Sequence, residues 1–264
     1  MSAGRNTSPV DRPGDAKALD ADDYDEMWRR LEDFLRYNPG ARHRRRLVLR
    51  ALRRYAGGAA EILDVGCGLG EMVAYLGAEL PNLHFTGADF SSGAIESCRR
   101  RAPQHHWIVA DVVNDDLPGN YDVVLCSELL EHLDEPEAAL VRIARSLKPR
   151  GTIIVTVPNG KVFATERAVG HVRHPTLPML HDWFDAAGLD VVEARRWGWP
   201  GYLALKYAAN IDADRALEAF GSGRYSWPIK RANDVAYAMV GVGSFADRPN
   251  GPQTVIVGRR RAAL

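Results

Sequence analysis

Two groups of side chains in this 264-residue chain have types and spacing suited to chemistry. The first is SELLEHLDEP, residues 127–136. It brings Glu128, Glu131 and His132 within one expected helical turn, with Glu128 and His132 four apart on a shared face. An imidazole titrates near neutrality and can take a proton there, although a histidine before Asp134-Glu135-Pro136 can also simply pack or cap the turn. The second is GHVRHP, residues 170–175, with His171 and His174 flanking Arg173. These histidines suit substrate binding, proton abstraction or, together with Glu131, metal ligation. No metal is expected, because a clear third and fourth ligand are lacking.

A third stretch, EILDVGCGLGEM at residues 61–72, bears on ligand binding rather than on bond making. An apolar run meets Asp64, and Gly66, Cys67, Gly68 and Gly70 follow. A dinucleotide fingerprint needs Gly-x-Gly-x-x-Gly, and Glu71 stands where its third glycine belongs. No Gly-Lys-Ser/Thr follows, which excludes a P-loop. A pyrophosphate would meet the charges of Asp64 and Glu71, whereas a cationic ligand would be attracted by them. S-adenosylmethionine carries an ammonium and a sulfonium and no phosphate. Asp89, ending LHFTGAD, can accept both ribose hydroxyls. Asp111, in VADVVNDDLP, can accept the adenine amino group, with Val112 as a backbone donor and Phe90 packed on the adenine face.

These residues need a scaffold that gathers them. From residue 61 onward, short β-branched runs alternate with helical segments. Strands are expected at 62–65, 83–88, 106–110, 121–126, 152–157 and 189–195. Helices are expected at 71–80, 92–101, 136–147 and 177–187. That alternation predicts a parallel sheet covered on both faces, with ligands at the carboxyl ends of the strands. A last strand at 254–259 has too little chain left to cross over and is expected to pair antiparallel. Ahead of this core, 22–37 and 41–55 read as helices separated by Asn38-Pro39-Gly40. The second is rich in arginine, which suits a solvated face better than a nucleic acid. Residues 1–20, dominated by Ser, Pro, Gly, Asp and Ala, read as a mobile tail. The organisation expected is one domain over 21–264: N-terminal helices at 21–57, a ligand-binding core at 58–197, a helical lid at 198–252 and the last strand at 253–260. In the lid, Trp199 and Tyr202 could wall an apolar acceptor pocket.

Taken together and in order, LDVGCGLGEM, GADFS, ADVVNDDLP, YDVVLCSELLEHLDEP and LKPRGTIIVTVPNG resemble the class I S-adenosylmethionine-dependent methyltransferases of the small-molecule type. The resemblance covers about residues 61–195. It implies a Rossmann-like, doubly wound seven-stranded sheet in the order 3-2-1-4-5-7-6 with the last strand antiparallel. It also implies that Asp64, Gly66, Gly68, Asp89, Asp111 and the Cys126-Ser127 turn line the cofactor, covered by an aromatic from the N-terminal helices, Tyr24 or Trp28. Similar Gly-His loops occur in this family before the last helix, with varied roles.

Composition narrows the partners. Charges balance at 34 acidic and 34 basic residues, so no global field attracts nucleic acid. The three cysteines show no paired spacing, and no disulfide is expected. No apolar leader or 18-residue apolar run occurs, so a cytoplasmic protein without stable membrane insertion is expected. The reaction expected is methyl transfer from S-adenosylmethionine to O, N or C of a small, partly apolar metabolite, with His132 or a histidine of the 170–175 loop as base. The alternatives are methylation of RNA or another nucleic acid, and a non-catalytic module that binds the same cofactor. Oligomeric state is open.

Overall fold

A computed structural model describes residues 21–241 and 246–262. The tail expected over residues 1–20 lies outside the described residues. Seven strands form one sheet: β1 (Glu61–Val65), β2 (His84–Asp89), β3 (His106–Val109), β4 (Tyr121–Ser127), β5 (Leu147–Pro158), β6 (Leu189–Trp197) and β7 (Gln253–Arg260). Their order is β3-β2-β1-β4-β5-β7-β6. β1 pairs parallel with β2 and β4, and β7 runs antiparallel to both β5 and β6. The order implied by the family resemblance is thus the observed one.

The strands are apolar on both faces because helices cover both. Successive residues point to opposite sides, so neighbours enter different cores. Ile62 joins Leu76, Phe85 and Leu125 on one side. Leu63 joins Val124, Leu140 and Phe184 on the other. The covering helices include α3 (Glu71–Glu79), α4 (Ser92–Arg101), α5 (Pro136–Arg145) and α7 (Leu177–Ala186), with a short α6 (Ala164–Arg167) that periodicity did not reveal.

α1 (Ala21–Tyr37) and α2 (Pro39–Tyr55) precede the sheet. α2 starts two residues earlier than expected. Proline at its first position gives up only an amide that would be unpaired anyway, and the Asn38 side chain accepts from Ala41 N at 3.0 Å. Asn38-Pro39-Gly40 therefore ends one helix and opens the next.

The segment expected as a lid forms α8 (Gly201–Ala209), α9 (Ala213–Phe220) and α10 (Trp227–Gly241). It rests largely on the N-terminal helices. Phe34 meets Phe220 with ring centroids 4.5 Å apart, His43 stacks on Tyr237, and Arg42 reaches Asp234 at 2.9 Å. The solvated arginine face expected for α2 holds for Arg46, Arg50, Arg53 and Arg54, which are exposed, whereas Arg42, Arg44 and Arg45 are partly covered. Arg46 donates to the Tyr237 hydroxyl at 2.8 Å, Arg44 pairs with Glu128 at 3.0 Å, and Arg45 donates to the Leu35 and Arg36 carbonyls. No described helix is long and apolar enough to cross a membrane. Cys67, Cys98 and Cys126 are free and buried.

Candidate active site

The carboxyl ends of β1, β2 and β4 open onto a cavity of about 490 Å³. Gly66, Asp89, Phe90, Asp111 and Val112 line it together with Glu128, Leu129 and His132. With Trp28, eight of the residues singled out in the sequence therefore share one cavity.

Asp89 organises part of that lining. Its Oδ2 accepts from Gly68 N at 2.8 Å and its Oδ1 from Ser91 N at 3.0 Å, which ties the glycine loop to the end of β2. Gly68 has φ +49°, and a Cβ there would come within 3.1 Å of the Trp28 indole. Glycine is required both for the left-handed turn and for that close approach. Trp28 thus lies over the loop and lines the cavity, the place implied for an aromatic of the N-terminal helices. Tyr24 belongs to α1, but its side chain lies outside the described residues.

Several expected residues sit elsewhere. Asp64 is 2% exposed, and its Oδ2 has no hydrogen-bond partner among the described residues. Burial, reinforced by the charge of Asp89, pushes its carboxyl up to about 8. Asp64 is therefore held mostly protonated near neutral pH, so the carboxylate field inferred from sequence comes chiefly from Asp89. Cys67 packs in the core, and a Cβ on Gly70 would run into Trp107, so this glycine serves helix packing. Cys126 is fully buried in the opposite core, and the Ser127 hydroxyl bonds Thr156 at 2.8 Å. The chain meets the cavity just after that turn, at Glu128 and Leu129. Asp111 lies on the wall, yet its oxygens accept from Val113 N at 2.9 Å and the Asn114 amide at 2.7 Å, shaping its own loop.

Glu128 and His132 share the cavity for a different reason than helical spacing. Glu128 has φ +55°, and only Leu130–His132 form a single 3-10 turn. The left-handed residue redirects the chain out of β4. Its carboxylate is held by Arg44 at 3.0 Å, Thr156 Oγ1 at 3.3 Å and Gln253 Nε2 at 3.3 Å. Nothing in the spacing announced the Arg44 partner, which arrives from 84 residues upstream (128 − 44).

The loop histidines stand behind His132 and do not form part of the cavity wall. His171 packs edge-on to His132 at 4.7 Å between centroids, and its Nδ1 lies 3.0 Å from His174 Nε2. Burial lowers His132 to about 4, His171 to about 2 and His174 to about 4, so all three are neutral at pH 7. Glu131 lies beside them with 0% exposure; burial, then the charge of Glu128, raises its carboxyl well above the usual range. Glu166 is bound by Lys206 at 2.6 Å and by Phe163 N at 2.8 Å. Trp199 and Tyr202 are both absent from the cavity wall. Trp199 is 39% exposed at the surface, and Tyr202 stacks on Trp197 with centroids 5.6 Å apart. An acceptor pocket walled by these aromatics is therefore corrected: Tyr202 is packed between the end of β6 and α2, where Gly40 leaves room for its ring.

Residues 40–194, more than half of the chain, match the family model described as a methyltransferase domain. The chain belongs to this family, the class I S-adenosylmethionine-dependent methyltransferases, and S-adenosylmethionine is its cofactor. It is 33% identical over 111 residues to a ubiquinone biosynthesis O-methyltransferase of Idiomarina loihiensis, covering 39% of this chain and 44% of that one. It is 32% identical over 152 residues to the protein of the same name from Methylococcus capsulatus, covering 54% and 62%. The match thus spans about half the length of these relatives. Its fold is shared with the N-methyltransferase NodS of Bradyrhizobium japonicum in complex with S-adenosyl-L-homocysteine, with a TM-score of 0.53, 17% identity and coverage of 86% and 90%.

Proposed function

We propose that the chain transfers the methyl group of S-adenosylmethionine to an oxygen, nitrogen or carbon of a small, partly apolar metabolite. The observation that carries this reading is the shared cavity: adenosine-compatible groups at Asp89, Phe90 and Asp111 line the same space as Glu128, Leu129 and His132, which we assign to the acceptor side. The donor set suits the cofactor. The glycine loop leaves its backbone open to an aminoacyl group, and Asp89, held by two amides, presents further lone pairs to ribose hydroxyls.

When bound, the cofactor supplies an electrophilic methyl on a sulfonium. The chain's own work is then positional. Asp89 and Phe90 fix the adenosine end. Leu129, against the space a Cβ on Gly66 would need, sets how closely the acceptor side approaches the loop. His132, neutral in its buried setting, can accept the proton that the acceptor's nucleophilic atom gives up. The relatives named as O-methyltransferases favour oxygen among the three acceptor atoms.

Two features disfavour nucleic acid as acceptor: the balanced net charge, and the pairing of Arg42 and Arg44 with acidic side chains of this chain. The deciding experiment incubates the full chain with methyl-labelled S-adenosylmethionine and a panel of phenols, catechols, amines and RNA. Label on a small hydroxyl compound supports the reading. Label on RNA alone, or cofactor binding with no transfer to any acceptor, rejects it in favour of the corresponding alternative.

A further inference from the structure

We propose that a second cavity, at the edge of the sheet away from the cofactor, binds a phosphate group, as the free ion or as a small phosphomonoester. It measures about 260 Å³ and lies at the amino ends of β4 and β5, beside the end of α2. Lys148, Arg150 and Arg259 line it, and Asp122 is the one acidic residue in its wall.

The first observation is charge. Asp122 is already engaged on both oxygens. Its Oδ1 accepts from Lys148 Nζ at 2.8 Å, and its Oδ2 from the Ala60 and Glu61 amides at 3.0 Å each. Lys148 and Asp122 therefore cancel. Arg150 and Arg259 have no acidic partner among the described residues. Glu193, which the Tyr55 hydroxyl bonds, is answered by Arg54 at 3.5 Å and Arg195 at 3.3 Å. In a chain whose acids and bases balance, this cavity thus keeps two uncompensated guanidinium groups. Their planar forks match the oxygens of a phosphate, and two of them suit a dianion. Gly57 and Gly58 line the same cavity, and neither amide has a hydrogen-bond partner among the described residues.

The second observation is the backbone. Arg150 has φ +62°, a left-handed conformation that glycine enters freely and that strains a residue with a Cβ. The turn around it is tightly seated. A Cβ on Gly151 would come within 2.9 Å of the Lys148 carbonyl oxygen and 3.2 Å of the Asp122 carbonyl oxygen. Folding alone would be better served by glycine at position 150, and what arginine adds there is a cation on the cavity wall. Arg259 is placed by a different route. It pairs with Thr152 in the β5–β7 ladder and donates one N–H to the Tyr55 carbonyl at 3.2 Å, which leaves the rest of its fork for a ligand. The Thr152 hydroxyl donates to the same carbonyl at 3.3 Å, so this oxygen is not left to repel an anion.

The site is separate from the methyl-transfer cavity. Arg150 and Thr156 are six residues apart on β5 (156 − 150), about 20 Å along an extended strand. Thr156 bonds Glu128 at the cofactor cavity. A phosphate held at the foot of β5 is therefore a bound ligand and not the group that receives the methyl.

The test is calorimetric titration of the full chain with sodium phosphate, ribose 5-phosphate and a short 5′-phosphorylated RNA. Ionic strength is held constant, and S-adenosylhomocysteine saturates the cofactor cavity. One equivalent of phosphate or ribose 5-phosphate per chain is the expected result. Tighter binding of the ester assigns a phosphomonoester as the ligand, and equal or tighter binding of phosphate assigns the free ion. Arg150→Gly and Arg259→Gln are each expected to weaken binding at least tenfold. Arg150→Gly should melt no lower than wild type, since glycine suits that backbone, and both variants should keep their affinity for S-adenosylhomocysteine. Absence of binding by the wild-type chain overturns the proposal, as does wild-type affinity in either folded variant. A tenfold or greater preference for the RNA also overturns it, by making the cavity part of a nucleic-acid surface.

Discussion

The Asp89 carboxylate accepts the Gly68 amide at 2.8 Å, so the residue expected to meet the ribose also holds the loop expected to meet the aminoacyl group. Removing it loosens both halves of the cofactor site at once. Asp89→Ala is therefore expected to weaken S-adenosylmethionine binding by a factor of 100 or more, about 3 kcal/mol, in line with losing charge-assisted hydrogen bonds. Calorimetry of the folded variant checks this, and near-normal affinity would refute the assigned wall.

His132 is the only one of the three clustered histidines on the cavity wall. His132→Ala is expected to leave cofactor affinity within a factor of about three while turnover falls by ten- to a thousandfold, the range of a lost proton-transfer group. Single-turnover transfer of labelled methyl measures it. Unchanged turnover would remove His132 from the chemistry.

Asp64 sets a pH dependence. Its carboxyl, at 3.8 in an unfolded chain, is raised to about 8 by burial and then by Asp89. The folded chain therefore holds a proton that the unfolded chain has released, so stability is lost as pH rises from about 4 to about 8, by at most about 1.4 kcal/mol per pH unit. Asp64→Asn abolishes this term. Thermal melts of the cofactor-free chain are expected to show a variant that gains on wild type between about pH 4 and about pH 8 and levels off above that. Parallel curves would show that Asp64 does not titrate as placed.

Glu128 and Arg44 pair at 3.0 Å with side chains only 16% and 17% exposed. Arg44→Met leaves the carboxylate in a mostly dry site, at an expected cost of about 2–4 kcal/mol. The double variant Arg44→Met/Glu128→Gln is expected to lose less than the sum of the single changes, because neither partner is then left charged and alone. Denaturant titrations close the cycle; strict additivity would mean that the pair is not coupled.

A Cβ on Gly40 would collide with the Tyr202 ring. Gly40→Ala is expected to destabilise the chain by about 1–3 kcal/mol through overpacking. Combined with Tyr202→Ala, the cost of the Gly40 change should largely disappear. Thermal melts that show the same loss in both backgrounds would place the strain elsewhere.

Much of this molecule is local in origin. The alternation of β-branched runs with amphipathic helices, read against right-handed crossovers, determines a parallel sheet and where its strands end. The glycine spacing after β1 and the acids ending β2 and β3 are set by short-range geometry, which is why Gly66, Asp89 and Asp111 were legible as one site. What the tertiary structure alone decided depends on distance through space and on exclusion of water. Asp64 became mostly protonated near neutral pH because packing removed its solvent, and Tyr202 left the acceptor site because Gly40, 162 residues earlier (202 − 40), made room for it. Arg44 found Glu128, and Glu131 was gathered with His132 and His171, by the packing of segments with no periodic relation to one another. Hydrophobic periodicity encodes which face of an element is buried, but not which polar group from elsewhere in the chain will meet it there.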